Sequence, residues 1–326
     1  MNVRKILGQH HASGITKDAA KNLVFYTEIL GMRLVKKTVN QDDPSMYHLF
    51  YADGVANPGT DITFFEIPNV GSTYRGTNSI SQIALRVKSD ESIHYFKERF
   101  EQYNVYHDTP IEINGRLTLE FEDFEGQRLA LVSDRTNSGV AAGTPWEKSI
   151  VPVEFGITGL GPFKMDVQDA EGFSSVLTEI FGYRSTGSFV HPVTQQQILT
   201  FSSDLGGTGD ELQVVHNTEA KERPGKGSMH HIALRVKDED ALQEWIDFIK
   251  ENNIPSSGFV DRHFFKSLYI RTRQGILIEL ATDGPGFDVN EPLESLGESL
   301  SLPPFLEAKR EWIESQVKPL PEVKHL

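Results

Sequence analysis

The sequence predicts an α+β protein assembled from four copies of one βαβββ unit. Its two halves match at an offset of about 150 residues. Ile6-Leu7-Gly8, Lys17-Asp18-Ala19 and Thr27-Glu28-Ile29-Leu30-Gly31 correspond to Ile157-Thr158-Gly159, Gln168-Asp169-Ala170 and Thr178-Glu179-Ile180-Phe181-Gly182. A second match sets Ser81-Gln82-Ile83-Ala84-Leu85-Arg86-Val87-Lys88 against His230-His231-Ile232-Ala233-Leu234-Arg235-Val236-Lys237. Each half therefore holds two units. Every unit reads as an alternating strand, an amphipathic helix and about three short strands.

In the first unit, the strand carrying His10-His11 leads into a helix from Asp18 to Leu30. Asp18 is a good N-cap and Gly31 a good stop. Strands follow near Arg33–Asn40, Tyr47–Ala52 and Asp61–Ile67. The second unit covers Asn78–Asp134, closing an N-terminal domain of residues 1–134. Residues 135–152, with their Ser, Gly, Ala and Pro, read as a linker. The third unit spans Val153–His216, and a loop at Asn217–Gly227 leads to the fourth at Ser228–Asp283. These make a C-terminal domain of residues 153–285, and residues 286–326 form a tail. One amphipathic helix is expected at Pro304–Val317, with Phe305, Leu306, Trp312 and Ile313 available to cover the chain itself or a second copy in a homo-oligomer.

Composition narrows the function. The 326 residues carry a formal net charge of −14, which disfavours a nucleic-acid or anionic-membrane partner. No apolar run approaches the roughly 20 residues of a membrane span, and the N-terminus lacks a signal-peptide core. A cytoplasmic protein is expected. With no cysteine, disulfides, thiolate metal sites and cysteine nucleophiles are excluded. A transition metal would need His, Asp or Glu.

Four βαβββ units resemble the vicinal oxygen chelate superfamily over about residues 1–285. That superfamily includes glyoxalases, antibiotic-resistance proteins and ring-cleaving dioxygenases. The resemblance implies two cupped mixed β-sheet barrels, with helices outside and metal inside.

Strand alternation then sorts the side chains. Ile232, Leu234 and Val236 share the helix-packing face, which leaves His231, Ala233 and Arg235 on the concave side. Ile276, Ile278 and Leu280 are apolar, so Leu277, Glu279 and Ala281 face the cup, near Tyr269. A carboxylate amid such residues needs a partner, and a cation is one. His11 matches His231 by repeat position and supplies a third donor. Gln82, Pro162 and Ala130 stand at the corresponding places of the middle units, which predicts that units one and four meet across the halves. Two histidines and a carboxylate are the donor set of non-haem Fe(II) oxygenases. Mn(II) occupies similar sites, and Zn(II) accepts these ligand types.

A closer resemblance rests on His10-His11, Val35-Lys36-Lys37-Thr38-Val39-Asn40, Asp42-Asp43-Pro44, Tyr47-His48-Leu49, Pro58-Gly59-Thr60 and Phe64-Phe65. With His230-His231 and Glu279, these stretches look like the hydroquinone-cleaving ring dioxygenases. That likeness implies His11, His231 and Glu279 as ligands of Fe(II), with a small aromatic substrate and O2 as partners. It places His10, His230, Arg262 and Tyr269 at the active site. Ser13 replaces a threonine common in that family and bears on substrate fit. His48 lies on a first-unit strand that could line the cup. Alternation, however, points His10 and His230 away from their neighbours, and Glu66 is a rival carboxylate. His191, His216 and His325 read as loop or tail residues. Two other readings stay open: a glyoxalase-like lyase or isomerase on the same scaffold, and a metal-free protein that binds a small aromatic or drug.

Overall fold

Asp18 caps the first helix as expected, accepting a hydrogen bond from the Lys21 N–H at 3.0 Å. The computed structural model describes residues 4–322. Module one comprises β1 (Gln9–Thr16), α1 (Ala19–Val24), β2 (Arg33–Val39), β3 (Tyr47–Ala52) and β4 (Asp61–Glu66). The helix widens into a π-helical turn at Phe25–Ile29 and stops at Gly31, whose φ of +75° suits glycine. Module two holds β5 (Ser79–Val87), α2 (Asp90–Tyr103), β6 (Ile111–Ile113), β7 (Arg116–Glu122) and β8 (Arg128–Ser133). Module three holds β9 (Ile157–Val167), α3 (Ala170–Ser175, again with a π-helical turn), β10 (Arg184–Val190), β11 (Gln197–Ser202) and β12 (Leu212–His216). Module four holds β13 (Ser228–Val236), α4 (Glu239–Glu251), β14 (Ser256–Asp261), β15 (Phe265–Arg271) and β16 (Leu277–Pro285).

In every module the first strand pairs in parallel with the last, as β1/β4, β5/β8, β9/β12 and β13/β16. Two eight-stranded mixed sheets result. One runs β14-β15-β16-β13-β1-β4-β3-β2 and the other β10-β11-β12-β9-β5-β8-β7-β6. Module one thus joins module four, as the divided ligand set predicts, and module two joins module three. Each half of the sequence gives one module to each sheet. Ile232, Leu234 and Val236 pack in the main core, while Ala233 and Ala281 lie in a separate apolar cluster with Phe50, Phe264, Phe265 and Phe287. This is the vicinal oxygen chelate fold.

The tail departs from expectation. Pro304–Lys309 is a 3₁₀ turn, and only Arg310–Gln316 (α5) is α-helical. Pro303 and Pro304 stand at the start of this turn, where a missing N–H is tolerated. Leu302, Leu306 and Ile313 cover Val39 of the chain itself, while Phe305 and Trp312 stay exposed. Upstream of this helix, Phe287 packs on Phe50 and Phe264. No described helix is long and apolar enough to cross a membrane. His325 lies outside the described residues.

Candidate metal centre

Two β-bulges build the site. Along the antiparallel β1–β13 pair, Gln9 opposes Leu234 and His11 opposes Ala233, so His10 has no partner. At the other end Ser13 opposes His231 and Gly14 opposes Met229, so His230 has none. A bulge re-aims its extra residue. His10 and His230 therefore turn back toward their neighbours, against strict alternation. His10 Nδ1 lies 2.9 Å from His11 Nδ1, and His230 Nδ1 lies 2.8 Å from His231 Nδ1.

The concave faces bring the three expected donors together. His11 Nε2 and His231 Nε2 are 3.2 Å apart, and Glu279 Oε2 is 3.1 and 3.0 Å from them. All three side chains are buried. Glu279 Oε2 nevertheless takes part in no well-formed hydrogen bond. Lone pairs converging on a common point suit a cation. With metal–ligand bonds of about 2.1 Å, a right angle separates two donors by about 3.0 Å and a tetrahedral angle by about 3.4 Å. The observed separations fall within this range, so the three residues would hold one ion between them. Burial would raise the Glu279 carboxyl, but His11 and His231 hold it well below the usual range. Burial works against a proton on His11, yet Glu279 outweighs it and raises that imidazole, so the same spot draws positive charge.

Hydrogen bonds fix the tautomers on one side. The Thr282 carbonyl can only accept, so the proton of neutral His10 is on Nε2, 3.0 Å away. His10 Nδ1 then accepts from His11 Nδ1–H, and His11 Nε2 keeps its lone pair for a metal. Burial, reinforced by His11, pushes the His10 imidazole down to about 3 and keeps it neutral. Ser267 Oγ donates to Glu279 Oε1 at 2.5 Å and orients the carboxylate. Replacing His10 with alanine is expected to weaken metal binding about 10–100-fold, checked by chelator competition.

A cavity of about 420 Å³ opens beside the trio, lined by Ser13, His48, Phe65, His230, Phe265 and Tyr269 among others. His48 packs between Phe50 and Phe65, with centroids 3.9 and 4.1 Å away, and its Nε2 meets Thr63 Oγ1 at 2.5 Å. Ser13 Oγ is buried without a partner. Arg262 is part of the site: Nε donates to Tyr269 Oη at 3.1 Å, and the guanidinium reaches Asp42 at 3.2 Å across the mouth. Burial, then Glu279, raises the Tyr269 phenol, so it keeps its proton. His230 borders the cavity, and burial with His231 pushes it down to about 4.

Other expectations resolve differently. Glu66 accepts from the Ala19 N–H at 3.1 Å and serves α1. His191 lies in the loop after β10, as expected, but its side chain is buried 3.4 Å from Glu120 in the second cup. There Gln82 and Lys164 also face Glu120, so an ammonium supplies the positive charge. In module one, Thr63 occupies the place of Glu279: Ser13 opposes Thr63 as Ala233 opposes Glu279, each two residues beyond its histidine. The first cup thus gathers three donors and not four. Sequence reasoning missed Ser267, Asp42 and Asp61. Ser267 shares a face with Tyr269 and was open to alternation, whereas Asp61 needed the register that sets it beside His11.

The match to known proteins agrees with this arrangement. Residues 8–131 and 160–280 fit the family model of the glyoxalase/bleomycin resistance protein/dioxygenase superfamily. The chain is 48% identical to MhqA of Bacillus subtilis strain 168, described as a ring-cleaving dioxygenase, over 97% of this chain and 99% of that one. It is 26% identical to the chlorohydroquinone/hydroquinone 1,2-dioxygenase of Sphingobium indicum, with 94% of each covered. A crystal structure of a Bacillus subtilis protein described as a dioxygenase superposes with a TM-score of 0.89 at 30% identity, over 99% of this chain and all of that one. The chain belongs to the glyoxalase/bleomycin resistance protein/dioxygenase superfamily.

Proposed function

We propose that this chain cleaves the ring of hydroquinones with O2 at a metal held by His11, His231 and Glu279. Fe(II) is the proposed ion. Mn(II) suits the same donors, and Zn(II) accepts these ligand types. The observation that carries the reading is a three-donor trio opening on an aromatic-walled cavity. Three protein donors leave positions on the ion for a substrate oxygen and dioxygen together, whereas a four-donor site leaves fewer. The names of MhqA and the Sphingobium enzyme support the same chemistry.

When bound, the metal favours the phenolate of a substrate hydroxyl and supplies the site of dioxygen activation. The protein's residues do the rest. Phe65, Phe265 and His48 offer ring faces and edges to the aromatic substrate. Tyr269 Oη accepts from Arg262 and also contacts Ser267, which holds the phenol at the cavity wall. With His231 Nε2 as a ligand, His231 Nδ1–H donates to His230 Nδ1, so His230 presents Nε2–H to the cavity as the nearest exchangeable proton. His10 holds His11 and does not touch substrate. Both atoms of O2 add across one ring carbon–carbon bond, so no external reductant is consumed.

Oxygen uptake by anaerobically Fe(II)-loaded protein, given hydroquinone, methylhydroquinone or catechol, tests the proposal. Uptake with the hydroquinones is expected. Metal-bound protein that consumes no oxygen with any of them would favour lyase or isomerase chemistry instead.

A further inference from the structure

Asp61 is a buried carboxylate that the proposed reaction leaves unused. It is 2% exposed, and neither oxygen has a hydrogen-bond partner among the described residues. A charge buried in this way needs compensation. Protonation alone would not supply it, because a carboxyl O–H would still lack an acceptor.

Its position names the compensating group. Asp61 pairs with His11 in the parallel β1–β4 ladder, so the two side chains share the concave face. Thr63 and Phe65, the next residues on that face, both meet His48, and Phe65 lines the cavity. Asp61 itself lies outside the cavity lining. Without a cation, burial raises the Asp61 carboxyl to about 8, with Glu279 adding to the rise and His11 opposing it, and no basic side chain among the described residues pairs with it. It is also not one of the converging donors. Module four offers a comparison: one step before the Ile232–Ile278 pair, His231 aligns with Leu277, so leucine stands where module one has aspartate. The fold does not require a carboxylate there.

A divalent ion bound by two neutral histidines and Glu279 keeps one net positive charge. We infer that Asp61 is a positioning residue that supplies the balancing negative charge from behind His11 without ligating the metal. The inference rests on the metal reading proposed above. A fixed negative charge there tightens cation binding and favours the ferric over the ferrous state.

The test compares full-length wild type with Asp61→Asn, using Fe(II) and Mn(II) as probes. The variant is expected to bind one ion about tenfold or more weakly. Its Fe(III)/Fe(II) potential should be higher than that of wild type. The metal-free variant should melt close to the wild-type temperature, since burial keeps the metal-free carboxyl largely protonated. Asp61→Leu, copying module four, should behave alike. Unchanged affinity and potential would overturn the inference, and so would failure of both metal-free variants to fold. If wild type itself bound neither ion, the metal site would fall and this role with it, whereas a metal-binding wild type with unaltered variants would remove Asp61 alone.

Discussion

Replacing Glu279 with alanine is expected to abolish stable metal binding and lower oxygen consumption by at least about three orders of magnitude, equivalent to about 4 kcal/mol. Glu279 is fully buried and is the sole carboxylate among the three converging donors. Without it, two neutral imidazoles 3.2 Å apart offer a cation no negative charge. The fold should survive, because alanine already occupies the equivalent position in module two, where Ala84 opposes Ala130 as Ala233 opposes Glu279. Metal content by mass spectrometry, with circular dichroism as the folding control, checks this. Metal retention with full activity would exclude Glu279 as a ligand.

Lys36→Met should be the most damaging single change to stability outside the core. Lys36 is fully buried, and its ammonium donates to the Phe287 carbonyl at 2.7 Å, to Asn290 Oδ1 at 3.0 Å and to Ser301 Oγ. It also forms a short ion pair with Glu291. Burial pulls this lysine down, while Glu291 and Asp288 support its charge. Removing one partner of a buried pair leaves the other uncompensated, at about 3–5 kcal/mol. For a chain of this size that is roughly 6–10 °C in Tm. The same contacts hold Phe287 against Phe50 and Phe264, which line the cavity, so KM should rise as the melting temperature falls. Lys36→Met with Glu291→Leu should recover much of the stability, since an apolar pair replaces the ionic one. Thermal melts of both variants test this coupling. A single variant as stable as wild type would mean the tail is held by Leu302, Leu306 and Ile313 alone.

Much of the site was legible because repeat and alternation act locally. The repeat placed His11 and His231 at matching positions, and alternation turned Glu279 to the same side. From the empty positions Gln82, Pro162 and Ala130 followed the pairing of modules one and four that the strand order displays. What escaped the sequence depends on register between distant strands. His10 and His230 face their neighbours because each is the extra residue of a bulge, which neither strand encodes alone. Asp61 became visible only beside His11. His191 read as a loop residue, but Glu120 of another module draws it inside. The two doublets also differ: His10 Nε2 is tied to the Thr282 carbonyl, whereas His230 lines the cavity.

The most direct measurement is mass spectrometry of the product formed by Fe(II)-loaded protein from hydroquinone under ¹⁸O2. The proposed mechanism requires a ring-opened product carrying both labelled atoms, and none from the Glu279→Ala protein. An intact ring, or an isomerised product without label, would contradict it.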